Sequence, residues 1–206
     1  MKIDAPLIDE QLQEAWELPD EDELEHYLFD GVDFSHENLH AREFRGCIFR
    51  KCSFAGADLT RAGFVDAVFD HCDLSSAKME HAVAVRCRFD GCRITGADMI
   101  HTLLRQVTFK ACKADFLNLA QAKTDHALFE DCVMPELFLE STTLKHAAFE
   151  GCDMTRASIH MTPMKGVDLR TCQLSGLHIG IPDLKGMVVT PLQAAELAQL
   201  LGLVIK

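Results

Sequence analysis

An apolar side chain returns at every fifth residue from Phe29 to Val189, and nothing in between breaks the register. The stretch Ala67-Val68-Phe69-Asp70-His71-Cys72-Asp73-Leu74 shows the unit, and only Ala84, Ala114 and Thr124 depart from a large apolar centre. Two residues before each centre runs a second column that is small or apolar nearly throughout. All nine cysteines fall in it. Residues two apart in an extended segment face the same side. Each pentad therefore reads as a short strand that sends one small and one large side chain inward, and the other residues make a corner.

A longer period overlies the first. Phe29, Phe49, Phe69, Phe89, Phe109, Phe129 and Phe149 are spaced by twenty, as are Cys52, Cys72, Cys92, Cys112, Cys132, Cys152 and Cys172. Twenty over five gives four pentads per coil, with like residues stacked on like. The predicted fold class is an all-β quadrilateral solenoid. Its coils are about 4.8 Å apart, the spacing of backbone ladder bonds, so roughly eight of them make a rod about 40 Å long.

The cysteines alternate with Ala, Val and Thr in the small inward column, which reads as buried structural thiols in a reducing compartment. No apolar run approaches the length of a membrane span, and the acidic N-terminus lacks the form of a secretory signal. The expected location is the cytoplasm. Residues 1–26 hold ten acids and one lysine, so they carry nine of the chain's twelve net negative charges. They are expected to form an acidic leader that caps the first coil through Leu12, Trp16, Leu24 and Leu28, with a short helix around Glu21–His26. Residues 27–189 form the repeat domain. Its first coil is irregular, because Glu37 and Arg42 stand in the small column; either they pair or the backbone bulges. Pro135, Pro163 and Pro182 predict corners or lost ladder bonds. Residues 190–206 change period. Thr190 is an N-cap, Pro191 suits the first helical turn and Gly202 the stop, with Leu203-Val204-Ile205 a short strand beyond.

No nucleophile elbow, phosphate loop or dinucleotide fingerprint occurs, and a filled coil has no substrate cavity. An enzyme is not expected, nor any cofactor. His81 with His101, and His126 with His146, lie one coil apart on corners, but no third ligand stands out, so no metal is expected. What remains is surface. One column reads Asp30, Arg50, Asp70, Asp90, Lys110, Glu130, Glu150, Arg170, flanked by Asp73, Asp131, Glu136, Asp153 and Asp168; another side carries Arg45, Arg86, Arg105, Lys123, Lys145, Lys165 and Lys185.

The repeated small residue, one residue, then Phe, Leu or Met, as in Ala57-Asp58-Leu59-Thr60-Arg61 and Ala97-Asp98-Met99, resembles the pentapeptide-repeat proteins. That resemblance implies a right-handed quadrilateral β-helix. The segment from Leu184-Lys185-Gly186-Met187 to Leu203-Val204-Ile205 is similar to the ending of the Qnr-type quinolone-resistance group, in its branch without loop insertions. The group is understood as duplex-DNA mimics that bind type II topoisomerases. The resemblance implies a partner, DNA gyrase or topoisomerase IV, with modulation of fluoroquinolone sensitivity and no direct binding of nucleic acid. The acidic contact residues would be Asp70, Asp90, Glu130, Asp131, Glu150 and Asp153. It also implies a tail-to-tail homodimer through Leu192, Leu197, Leu200, Leu201, Leu203 and Ile205. The alternative is a scaffold or adaptor that binds another protein through the basic, apolar side, including Val65, Val83, Val85 and Leu103.

Overall fold

Every pentad centre from Leu24 to Leu139 is buried, as a chain wound with period five requires. The computed structural model describes residues 2–203, and the chain in it is a parallel β-solenoid of about eight coils ending in one short helix. From Glu23 onward coils pair at a fixed offset of twenty residues. The long strands Val83–Asp90, Leu103–Lys110, Lys123–Glu130 and Thr143–Glu150 lie directly over one another, with Phe89 on Phe109, Phe109 on Phe129 and Phe129 on Phe149. On the other faces single bridges such as Asp73↔Arg93 and Asp98↔Asn118 carry the same register.

The core is a set of ladders. Phe69 and Phe89 have ring centroids 4.5 Å apart and planes 4° apart, and Phe109 and Phe129 are 4.8 Å and 2° apart. Ladder spacing imposes this face-to-face order, while neighbouring columns meet edge-on, as in Phe64–Phe69 at 71°. Beside the rings run the thiols. All nine cysteines are buried and unpaired. In the main column each S–H donates to the carbonyl of a phenylalanine 23 residues earlier, for example Cys72 to Phe49 at 3.3 Å and Cys132 to Phe109 at 3.4 Å. Thr142 and Thr162 repeat the bond with their hydroxyls, to Leu119 and Leu139. Burial pushes the Cys47 thiol up to about 11 and that of Cys87 up to about 12, which keeps both protonated.

The corners have a backbone signature. From His26 to Gly166 the residue two after each centre takes a left-handed conformation; in the non-glycine cases φ lies between 48° (Met161) and 64° (His126). Half the corners are hydrogen-bonded turns, such as Ala57 N–H to the Phe54 carbonyl at 3.0 Å, with the positive φ at the third turn residue. Pro135 sits second in such a turn, where its fixed φ fits.

The first coil corrects two expectations. Residues Glu23–Glu25 form a strand paired with Glu43–Arg45, so there is no helix around Glu21–His26. Leu24 is already in pentad register, fully buried, and the ladder bonds override the local charge pattern. Glu37 and Arg42 neither pair nor bulge the chain: Glu37 is exposed, and the Arg42 guanidinium donates to the carbonyls of Pro19 (3.0 Å) and Glu21. Gln13–Ala15 adds a strand below Tyr27–Asp30 and covers that edge. Leu12 and Leu28 are half-buried, but Trp16 is 75% exposed.

Pro163 marks the other end of the regular rod. Thr143 and Lys123 donate their amides to the carbonyls 21 residues earlier, Ala122 and Thr102. At Pro163 that donor is missing, so the Thr142 carbonyl loses the equivalent bond; separately, the Thr142 amide, whose counterparts at Thr102 and Ala122 close turns on Met99 and Leu119, donates to the Thr162 hydroxyl at 3.0 Å. Beyond it the final helix, Pro191–Ala198, has Thr190 as N-cap in a capping box with Gln193 and runs into a 3₁₀ turn closed by left-handed Gly202, as the sequence predicts. The same Gln193 donates its amide Nε2 to the Leu169 and Cys172 carbonyls, both at 2.8 Å, and so fastens the helix onto the last coil.

Candidate partner-binding faces

Strand register places the acidic column in a single file: Asp30, Arg50, Asp70, Asp90, Lys110, Glu130 and Glu150 are consecutive ladder partners. Side chains in such a file are about 4.8 Å apart. The bases are not free within it. Arg50 reaches Asp30 at 3.3 Å and Asp70 at 3.7 Å, and Lys110 reaches Glu130 at 3.1 Å. Asp70 also holds the His71 ring at 2.6 Å. Among the described residues, Asp90 and Glu150 have no ion partner.

Three of the six predicted contact residues, Glu130, Asp131 and Glu150, line a cleft of about 830 Å³ together with Phe149, Asp168 and Arg170. The cleft opens where the ladder lapses at Pro163: Gly151 donates its amide to the Thr171 hydroxyl at 3.1 Å, whereas Asp131 one coil below bonds the Glu150 backbone. Arg170 does not offset the acids across the cleft, because it is chelated by Asp168 at 2.6 Å, which holds that carboxyl down at about 2. Asp153 stands apart from the file. It accepts from the Thr155 amide (2.9 Å) and hydroxyl (2.6 Å), the same use that Asp33, Asp58 and Asp73 make of their carboxylates at other corners. These acids are turn formers, a role that sequence reasoning missed although they recur one residue before a pentad centre.

The adjacent, basic side is also partly neutralised. Arg86 makes two bonds to Asp66, at 2.7 and 2.6 Å, and Lys145 one to Asp125 at 2.8 Å. Val65, Val83, Val85 and Leu103 are half-buried there. The leader crosses the neighbouring corner, with the Leu7 amide on Asp66 (2.9 Å) and the Asp4 amide on Gln106 (3.0 Å).

At the C-terminal end, Leu192, Leu200 and Leu203 are 73%, 42% and 55% exposed, while Leu197 packs on the core beside Met187 and Val189. The side chain of Leu201, and Ile205 with the strand expected around it, lie outside the described residues. Among the described residues no helix is long and apolar enough to cross a membrane.

The sequence family described as "Pentapeptide repeat region" matches residues 62–134, and "Pentapeptide repeats (8 copies)" matches residues 43–75 and 139–170. No curated protein matches. Among solved structures, the plasmid-mediated fluoroquinolone resistance protein QnrB1 is 21% identical over 89% of this chain and 90% of its own, with a TM-score of 0.38. HetL, involved in heterocyst differentiation regulation in the cyanobacterium Nostoc sp. strain PCC 7120, is 15% identical over 80% and 87%, with a TM-score of 0.36. A pentapeptide repeat protein from the Arabidopsis thaliana thylakoid lumen is 22% identical over 67% and 65%, with a TM-score of 0.25. With its period, its corners and its family matches in agreement, the chain belongs to the pentapeptide-repeat proteins.

Proposed function

We propose that this rod is a non-enzymatic binding protein of the Qnr-like kind, which occupies the DNA-binding saddle of DNA gyrase or topoisomerase IV and alters fluoroquinolone action there. The observation that carries the reading is the single file at ladder spacing in which Asp70 lies on Asp90 and Glu130 lies under Glu150, two adjacent pairs of acids on a narrow support. Duplex DNA presents a negative charge every 3.4 Å along each strand. Acids at about 4.8 Å on a stiff rod address the same basic surface, and long-range attraction speeds the encounter. Asp90, Asp131 and Glu150 contribute most, having no ion partner among the described residues; Asp70 and Glu130 follow, and Asp153 least, because Thr155 already uses its carboxylate. The likeness of residues 184–206 to the Qnr-type ending supports a dimer through Leu192, Leu197, Leu200, Leu201, Leu203 and Ile205. That would join two files end to end.

The test is gyrase supercoiling with and without ciprofloxacin. The expected result is inhibition or drug rescue at micromolar protein, weakened by Asp90→Lys with Glu150→Lys. No effect in either arm sinks the reading. A second reading, an adaptor that binds another protein through the basic, apolar side, is favoured by one observation: half of the acidic file is neutralised in place. Pull-down with charge reversal at Arg105, Lys145 and Lys165 separates the two. A partner lost there, but retained by the acidic-file variants, is the adaptor's result.

A further inference from the structure

The two corner histidine pairs come out differently. His81 and His101 stack in parallel, with centroids 4.7 Å apart and planes within 1°, so their ring nitrogens do not converge. His126 and His146 are closer, at 4.3 Å, and tilted by 36°. Both of their Nδ1 atoms lie on one oxygen, Oδ1 of Asp125, at 2.9 Å and 3.1 Å. The three donor atoms all lie within 4.8 Å of one another, a grouping found nowhere else among the described residues. In the sequence Asp125 is only the neighbour of His126. The third donor emerges because the left-handed corner turns the His126 ring back onto the preceding carboxylate, while the ladder brings His146 over it.

We propose that Asp125, His126 and His146 bind a divalent transition-metal ion of the zinc class. Two imidazoles and one carboxylate suit Zn²⁺ and its neighbours, whereas Mg²⁺ and Ca²⁺ select oxygen donors. Zinc–donor bonds of about 2.0–2.2 Å place tetrahedral donors about 3.3 Å apart, a few tenths beyond the two nitrogen–oxygen separations, and the two nitrogens lie within 4.8 Å of each other. An ion would replace the two hydrogen bonds to Oδ1. The side chains are 26% (Asp125), 34% (His126) and 54% (His146) exposed, so the fourth position opens to solvent. Lys145 Nζ donates to Asp125 Oδ2 at 2.8 Å. It fixes the carboxylate by its far oxygen and leaves Oδ1 toward the rings, a positioning role. Its charge also opposes the ion and limits affinity. The donors come from two successive strands, Lys123–Glu130 and Thr143–Glu150, so the ion clasps the last long pair before the ladder lapses at Pro163.

The experiment is zinc calorimetry on the full chain after dialysis against chelator, with the visible spectrum of the cobalt-substituted protein as a second readout. The expected result is one equivalent of Zn²⁺, and a cobalt spectrum of nitrogen and oxygen donors without thiolate charge transfer. Asp125→Asn and His146→Ala each weaken binding by at least about tenfold, and His101→Ala leaves it unchanged. Circular dichroism checks that each variant keeps its strand signal. No saturable binding at millimolar zinc overturns the proposal. So do undiminished binding in Asp125→Asn and His146→Ala, an equal loss in His101→Ala, or displacement of zinc by equimolar magnesium.

Discussion

Between Phe44 and Phe149 the coils repeat one another; beyond Pro163 they do not, although the apolar centres continue through Met164, Leu169 and Leu174, all buried. The difference is in the backbone. In the middle of the rod, corner amides bond the carbonyl nineteen residues on, as Ser76 does to Thr95 and Gly96 to Asp115; at Gly166 the bond goes to Gly186, twenty on. Side chains in register therefore do not guarantee a ladder. The ladder also needs a donor at every rung, and Pro163 lacks one on the side where the coils part at the cleft that Glu130, Asp131 and Glu150 line. In a solenoid each coil is stabilised chiefly by its neighbours, so the two regions differ in how far a local fault spreads.

The largest expected effect is a truncation in the middle. Phe89 is fully buried between Phe69 at 4.5 Å and Phe109 at 4.7 Å. Phe89→Ala is expected to cost about 3–5 kcal/mol in urea unfolding. Leu174→Ala, past the break and 5% exposed, is expected near the lower end of the roughly 2–5 kcal/mol for such a change, with loss confined to the end coils. Equal, global losses from both would break the comparison.

Next is Gln193→Ala, which removes the capping-box partner and both bonds to the Leu169 and Cys172 carbonyls. Leaving two such carbonyls unpaired costs about 1–3 kcal/mol each in the buried limit and less where water reaches them. Hydrogen exchange of residues 191–201 should rise while that of Lys123–Glu130 is unchanged. Accelerated exchange in the middle strands would mean that the helix and the rod are one cooperative unit.

What is legible in this sequence is the inside of the molecule. Residues five and twenty apart have to face one axis and stack, and Phe69, Phe89 and Phe109 do. The helix after Thr190 is equally legible, because cap, proline and stop residues are local signals. What escapes are properties of the outside. Leu24, Phe29 and Phe34 continue the register backwards, but the acidic surroundings of Leu24 suggest a helix. Trp16 has the character of a cap, yet an edge strand, Gln13–Ala15, does that work with backbone bonds. Asp153 reads as free surface charge but forms a turn, and Asp125 reads as one more acid until the corner folds His126 onto it. Period fixes which side chains share a column; it leaves open which neighbours across a corner touch.

Pro163→Ala tests the cause assigned to the break. It restores a donor facing the Thr142 carbonyl, worth about 0.5–1.5 kcal/mol, and loosens the unfolded chain by about 0.4–1 kcal/mol, so little net change in melting is expected. The sharper readout is the new amide at 163: protected from exchange if the missing donor alone separates the coils, fast if the splay has another origin.

The smallest effects lie at the corners, where the two regions can be compared with one substitution. Gly91 (φ 60°) is in the regular rod and Gly166 (φ 81°) is beyond the break. A side chain in the left-handed region costs about 1–2 kcal/mol before any offset from the unfolded chain. At Gly91 a Cβ would also come 2.9 Å from the His71 ring, whereas at Gly166 nothing lies within 4 Å. Since ladder bonds on both sides hold the first corner rigid, Gly91→Ala should destabilise by about 1 kcal/mol and Gly166→Ala by less. The reverse change, Ala111→Gly, one coil above Gly91 and with φ 50°, should stabilise by a few tenths of a kcal/mol, the strain relieved slightly exceeding the entropy added to the unfolded chain. Equal costs at positions 91 and 166 would mean that the corner conformation is fixed locally by the turn, and that the ladder on either side adds nothing to its rigidity.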